Sequence, residues 1–333
     1  MIPAAFRSRA SALRWAFLPF LLSFAASWAQ SPAPNESSLE AKVQAIVAQH
    51  HGKVALFAEN LRSGETLGVN PDQPVQTAST IKLTILFDAM QQVRSGSVRL
   101  DDPIVLRKED QVGGSGILQF FDTPVTLTLR DVLMLMITQS DNTATNLAID
   151  KLGVHNINAE TRKLGLKDTW LYKKIMKPAT EPMPPDQKIY GLGKTTPREI
   201  ASVMAHMYRC DFDEPSRPGD LVLCSTMLTM LQHQFFRDGL PRLLERGDTA
   251  RADAAMGNKT GALDAVRADV GLVSTKAGPV ILAIYTYENA DHSWSTDNEG
   301  QLTIAKLADL IVTTWSPDGF DPAAYKPTPA AGQ

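Results

Sequence analysis

Apolar residues along this chain change their spacing four times, and the changes outline the fold. In "SLEAKVQAIVAQH" (Ser38 to His50) they recur at the spacing of a helix with one buried face. "KVALFAENLRSGETLGVN" (Lys53 to Asn70) instead reads as two strand-like runs around Ser63-Gly64, a hairpin signal. From Ser79 to about His233 helical spacing returns and holds almost throughout, as in "LTLRDVLMLMITQ", "NTATNLAIDKLG", "TPREIASVMAHMY" and "CSTMLTMLQHQ". After Ala254 strand-like runs reappear in "AAMGNKTG", "RADVGLVST" and "PVILAIYTYE", and "NEGQLTIAKLADLIVTTW" closes the pattern as a helix. Strands at both ends of the chain have to meet. The order predicts an α/β (α+β) fold of two lobes: an antiparallel sheet built from both chain ends and flanked by helices, with an all-α lobe of about residues 79–235 inserted. A cleft between the lobes is the natural place for a ligand.

The ends of the chain are different. Residues 1–29 carry Arg7, Arg9 and Arg14, then an apolar stretch from Trp15 to Ala26 and the small-residue pattern Ser27-Trp28-Ala29. That is the layout of a cleaved signal peptide, with the cut near Ala29/Gln30, and the apolar core is too short to span a bilayer comfortably. No cysteine follows to take a lipid, so the mature chain is expected in the periplasm or secreted, without a stable membrane anchor. "SPAPNESS" makes residues 30–38 a loose leader, the folded domain is expected over 39–316, and "DPAAYKPTPAAGQ" predicts a disordered tail over 317–333.

Charge and composition narrow the function classes. Removing three arginines and no acids from 33 basic and 36 acidic residues moves the formal charge from -3 to -6. Basic residues are scattered and none forms a run interleaved with aromatics, so nucleic acid is not an expected partner. Histidines show no metal-ligand spacing, and neither a metal nor another cofactor is expected. Cys210 and Cys224 are the only cysteines; in an exported chain their spacing permits a disulfide without requiring one.

Candidate chemistry begins in "QTASTIKLTILFDAM" (Gln76 to Met90), where Ser79 stands three residues before Lys82. A serine just ahead of an apolar run is ordinarily a helix cap. Residues three apart also share a helix face, so the Lys82 amine has access to the Ser79 hydroxyl proton. Ser79 is the only serine in the chain with a lysine three positions on. Two further strings follow in order, Ser140-Asp141-Asn142 and Lys259-Thr260-Gly261. Each alone is weak, one looking like a helix start and the other like a strand end.

Together the three strings resemble the signature of the class A β-lactamases and related penicillin-binding serine enzymes, S-x-x-K, S-D-N and K-T-G in this order. The resemblance runs from about Leu39 to Trp315 and includes "GSGILQ" at Gly114 to Gln119, similar to the cleft rim of such enzymes, and "MITQSDNTATNLAIDKLG". It implies that Ser79 is the nucleophile and Lys82 a candidate base, that Ser140 relays a proton to the leaving nitrogen, and that Lys259 holds that hydroxyl and the substrate carboxylate. It further implies an oxyanion hole from the backbone N–H groups of Ser79 and Ala262, an amide contact from Asn142, and carboxylate contacts from Thr260 and Gly261. Asp141 is expected to hold its loop rather than do chemistry. Arg267, in "AVRADVGL", lies where some relatives keep an arginine for the substrate carboxylate; the alternative is a structural arginine, paired for instance with Asp269.

The resemblance breaks at one place. Class A enzymes carry E-x-x-L-N on a loop between the second and third motifs, and its glutamate activates the water that releases the acyl group. This chain has no such string. A gap-free alignment from Leu164-Gly165 puts Ile175 or a near neighbour there, and Glu181 follows a few residues later as the candidate replacement. The implied activity is serine β-lactam hydrolysis through an acyl-enzyme on Ser79, and a monomer is expected. The alternatives are a D-alanyl-D-alanine peptidase-like enzyme acting on D-alanyl peptides, or a protein acylated by β-lactams with little turnover.

Overall fold

The computed structural model describes residues 38–179, 182–212, 214–245 and 254–329. The signal peptide with its cut at Ala29/Gln30, most of the leader, and Glu181 lie outside the described residues.

Helix α1 (Leu39–Ala48) starts where Ser38 accepts a hydrogen bond from the Ala41 N–H at 3.1 Å, satisfying one of the donors a helix start leaves open. It leads into the hairpin of β1 (Lys53–Asn60) and β2 (Thr66–Val69), whose turn passes through Gly64 at φ 75°. The short β3 (Val75–Gln76) and a 3₁₀ turn (Ala78–Ile81) then feed α2 (Lys82–Ser95). Next come β4 (Pro103–Leu106), β5 (Val125–Thr128), α3 (Leu129–Thr138), α4 (Asn142–Leu152) and α5 (Val154–Lys163). They are followed by β6 (Trp170–Leu171), α6 (Gln187–Tyr190), β7 (Gly193–Thr195), α7 (Pro197–Arg209) and α8 (Asp220–Gln232). The chain returns to the sheet in β8 (Met256–Leu263), β9 (Val266–Thr275) and β10 (Gly278–Tyr287), then forms the C-terminal helix Glu299–Trp315.

The two ends of the chain meet as the pattern predicts. The main sheet has the order β2-β1-β10-β9-β8 and is antiparallel throughout, with Lys53 opposite Tyr287 and Asn60 opposite Val280. Alternate residues of β1 and β10 serve two cores. Ala55, Phe57, Ile281 and Ala283 join the helical lobe, whereas Leu56, Ala58, Leu282 and Ile284 pack with α1 and the C-terminal helix. Burial on both faces explains why β9 is buried along its whole length and why its sequence does not alternate cleanly.

Three expectations need correction or completion. The helical block also holds strands, in the sheets β3-β7-β6 and β4-β5, each too short to show a period of two in the sequence. Cys210, the C-cap of α7, and Cys224 in α8 form a disulfide, with Cα atoms 5.5 Å apart. The segment expected to be a disordered tail is instead placed through Pro329: Phe320 bridges Thr275, and the Thr328 N–H donates to Tyr208 O at 2.8 Å. Its proline and alanine content hid a run of backbone and aromatic contacts. Among the described residues, no helix is long and apolar enough to cross a membrane.

Candidate active site

The 3₁₀ turn delivers Ser79 to the space between the lobes. Ile81, not Ser79, occupies the N-cap place of α2, and no side chain caps either the turn or the helix. The cap reading of Ser79 is therefore overturned. Ala78 just before it has φ 45°, a left-handed conformation that costs free energy in a residue with a side chain, and Ser140 has φ 50°. Two strained residues of this kind flank the chemistry that the motifs suggest.

Lys82 opens α2 with its amine turned inward, where it lies 2.7 Å from Ser140 O, 3.1 Å from Ser140 Oγ and 3.3 Å from Asn142 Oδ1. Lys259 reaches the same hydroxyl from the sheet, with Nζ 3.1 Å from Ser140 Oγ and 2.8 Å from Thr260 O. Both lysines are fully buried. Burial favours the neutral amine, and it is the chief reason that the Lys82 amine titrates well below the ordinary lysine range; the Lys259 charge pushes the same way and Asp141 opposes it. Burial likewise brings Lys259 down to about 7, against the pull of Asp269.

Neutral Lys82 has two N–H donors and one lone pair. Two of its three partners, the Ser140 carbonyl and the Asn142 amide oxygen, are acceptors only. The third, the Ser140 hydroxyl, accepts from Lys82 and can itself also donate. With Lys259 donating to that oxygen, Ser140 becomes a proton path between the two amines.

The third motif approaches Ser79 closely enough to need glycine. A Cβ on Gly261 would stand 3.0 Å from Thr77 O and 3.2 Å from Ser79 N. β8 is the edge strand of the sheet, so backbone groups on its free side face the cleft, and Ala262 follows Gly261 there. Asp141 caps α4 by accepting from Ala144 N at 2.8 Å, and its other oxygen accepts from Ile117 N and Leu118 N at 2.7 and 2.8 Å. It thereby ties the rim segment to the Ser140 loop. The rim also needs its glycines, since a Cβ on Gly116 would fall 2.2 Å from Asp141 Cγ.

Arg267 is not brought into this cluster. Its guanidinium donates to the carbonyl oxygens of Leu263, Val266 and Ser293 and stacks on Trp294, with Cζ 4.8 Å from the ring centroid. Nη1 meets two carbonyls that the short turn between β8 and β9 brings within reach, and Nη2 donates to the distant Ser293. Asp269 is not its partner either: it accepts from Asn258 Nδ2 and Leu240 N.

Sequence reasoning missed Asn146. It lies one turn after Asn142 on α4, and grips Ile175 through both backbone groups, donating to Ile175 O at 2.9 Å and accepting from Ile175 N at 2.8 Å. The spacing of four between two asparagines following Ser-Asp was the available signal. Met176, at φ 54°, comes next, with its methyl group 3.4 Å from where a Gly114 Cβ would stand. The residue so clamped, Ile175, carries a hydrocarbon side chain.

The sequence profile of the beta-lactamase enzyme family matches residues 38–315. The chain is 27% identical to β-lactamase AER-1 of Aeromonas hydrophila over 157 residues, which is 46% of this chain and 52% of that one. It is 25% identical to β-lactamase PSE-4 of Pseudomonas aeruginosa over 192 residues, 56% of this chain and 64% of that one. These matches span only about half to two-thirds of the relatives' lengths. Among solved structures, a β-lactamase from Sphaerobacter thermophilus superposes with a TM-score of 0.69 at 29% identity, covering 82% of this chain and 95% of that one. A substituted PBP-A, solved as an acyl-enzyme complex with penicillin G, gives a TM-score of 0.67 at 26% identity, covering 83% and 96%. The fold, the order of the motifs and a match over nearly the whole described domain agree, and the chain belongs to the beta-lactamase enzyme family.

Proposed function

We propose that this protein is an exported serine hydrolase that opens β-lactam amides through an acyl-enzyme on Ser79 and releases the acyl group slowly. The observation that carries the reading is the Ser140 hydroxyl held between two fully buried amines, Lys82 and Lys259. Neutral Lys82 takes the Ser79 proton as Oγ attacks the lactam carbonyl, and the N–H groups of Ser79 and Ala262 hold the developing oxyanion. As the C–N bond breaks, Ser140 delivers its proton to the nitrogen and is reprotonated along the lysine path. Lys259, Thr260 and Gly261 receive the substrate carboxylate, and Asn142 its side-chain amide. Arg267 has no part in this.

Release needs a base within one water of the acyl carbon. Ile175 offers no proton acceptor at the clamped position, and Glu181 is the proposed replacement. This same feature favours a second reading, a D-alanyl peptidase-like enzyme that binds D-alanyl peptides. PBP-A, whose fold the chain shares, was captured as an acyl-enzyme with penicillin G.

Mass spectrometry of the protein mixed with a chromogenic cephalosporin, alongside steady-state rates and D-alanine release from a D-alanyl-D-alanine peptide, separates the readings. A Ser79 adduct with many slow turnovers supports hydrolysis; one equivalent of adduct supports a trap. Release of D-alanine with negligible lactam turnover supports the peptidase. No adduct on Ser79 refutes all three.

A further inference from the structure

The segment after the C-terminal helix ties the sheet to the helical lobe. Ser316 Oγ donates to Gly319 O at 3.0 Å, Lys276 N donates to Gly319 O, and Asp321 N donates to Ser274 O, so the segment first lies along the end of β9. It then crosses to the helices, where Tyr325 Oη donates to Leu228 O of α8 at 3.1 Å and Thr328 N donates to Tyr208 O of α7. These are the two helices that the Cys210–Cys224 disulfide joins.

Tyr325 also meets the strand that carries Lys259. A Cβ on Gly257 would stand 2.0 Å from Tyr325 Oη and 2.9 Å from Gln232 N, so the hydroxyl occupies the place of a β8 side chain. Alternate residues of a strand share a face, and Gly257, Lys259 and Gly261 therefore point the same way. The hydroxyl stands on the face of Lys259, one side-chain position away.

We propose that residues 316–329 form an interlobe strap and that Tyr325 is a positioning residue for Lys259, closing the space behind its amine and holding β8 against α8. This rests on the acyl-enzyme reading above. Lys259 is fully buried and donates to Ser140 Oγ. The charged groups acting around it are Asp269 of β9 and, across the shared Ser140, Lys82 of α2, which Asp141 faces in turn; Arg237 acts on Tyr325. Truncating the ring admits water beside Lys259, which eases the burial that draws its pKa down and loosens the strand that aims it.

The test uses the full chain and three variants, Tyr325→Phe, Tyr325→Ala and Phe320→Ala. Acylation of Ser79 by a chromogenic cephalosporin is followed across pH, with reactive sites counted by mass, and hydrogen exchange of the β8 amides is measured without ligand. Tyr325→Ala should lose about tenfold in the acylation rate constant per reactive site and move the pH midpoint upward by about half a unit. Tyr325→Phe keeps the ring and should stay within about threefold at the original midpoint. Phe320→Ala removes a ring packed against the sheet-side core at the strap's distant end and should lower the melting temperature without moving the midpoint. Exchange in β8 should accelerate in Tyr325→Ala. An unchanged midpoint and rate in Tyr325→Ala, or the same upward midpoint shift in Phe320→Ala, overturns the positioning role even if stability falls. Unchanged β8 exchange overturns the strap independently of any reaction. Failure of the unmutated protein to form a Ser79 adduct would instead count against the acyl-enzyme reading, with the exchange result still deciding the strap.

Discussion

Replacing Lys259 by methionine should make this protein more stable at neutral pH while abolishing acylation. The amine has no exposure, and burial lowers its pKa from 10.5 to about 7. At about 1.4 kcal/mol per pH unit, that depression corresponds to a cost on the order of 5 kcal/mol in holding this lysine in the native state. The sign follows from proton counts. Between about pH 7 and 10.5 the unfolded chain binds more protons at this site than the folded one, so native stability rises with pH across that window. The cost is fully present below about pH 7 and is gone above about 10.5.

Methionine has a similar length and no charge, so it removes the cost but also two hydrogen bonds, to Ser140 Oγ and Thr260 O. At about 1 kcal/mol each, their loss leaves a net gain of about 3 kcal/mol at pH 6 to 7, which turns into a loss of about 2 kcal/mol near pH 10.5. At about 2–4 °C per kcal/mol, the melting temperature should rise by about 6–12 °C at pH 6 to 7. Thermal unfolding of both proteins across pH checks this, and the change of sign is the diagnostic feature. A variant that melts lower at neutral pH, or by the same margin at every pH, would refute the argument that a buried, depressed amine is held here at the expense of stability.

Ser79→Ala should abolish covalent labelling by a penicillin with almost no change in melting temperature, because the hydroxyl caps no helix; labelling at the wild-type rate would refute the assignment. Ile175→Glu should speed acyl-enzyme release, because Asn146 holds this residue by both backbone groups and a carboxylate there gains a place from which to activate water; unchanged burst and turnover rates would sink the idea. Glu181→Gln should acylate normally and then accumulate the acyl-enzyme by mass spectrometry, whereas equal release rates would remove Glu181 from the mechanism. Cys210→Ser with Cys224→Ser should lower stability by about 3 kcal/mol in denaturant unfolding, the value for closing a loop of about fifteen residues, and an unchanged midpoint would contradict that account.

Long periodic segments were legible in the sequence because their burial is one-sided or their motifs recur in order. β1 and β10 could be assigned to one sheet from their places at the two ends of the chain, and Ser79, Lys82, Ser140 and Lys259 from joint occurrence. What stayed hidden depends on long-range geometry. Nothing local distinguishes Ser79 in a 3₁₀ turn from a serine at a cap, since both precede an apolar run. Arg267 sits at a suggestive position, but three of its donors go to carbonyls, two in a tight turn and one on Ser293, which is 26 residues away in the chain. Tyr325 looked like part of a disordered tail because its partners, Gly257 and Leu228, are distant in sequence. Gly257 is informative only once the hydroxyl occupying its side-chain space is known.

The proposed acylation and the proposed slow release draw on different parts of the site. In that proposal acylation needs an unprotonated amine near Ser79, and burial draws the Lys82 amine well below the ordinary lysine range. Release needs a second proton acceptor on the side from which water reaches the acyl carbon, and the Ser140 hydroxyl already joins both amines on the leaving-nitrogen side. Asn146 fixes the backbone of the loop at Ile175, so the scaffold for a water-activating group persists while its side chain is a hydrocarbon. On this proposal acylation and release draw on separate groups, and a change at residue 175 should alter the lifetime of the adduct without touching the lysine pair that forms it.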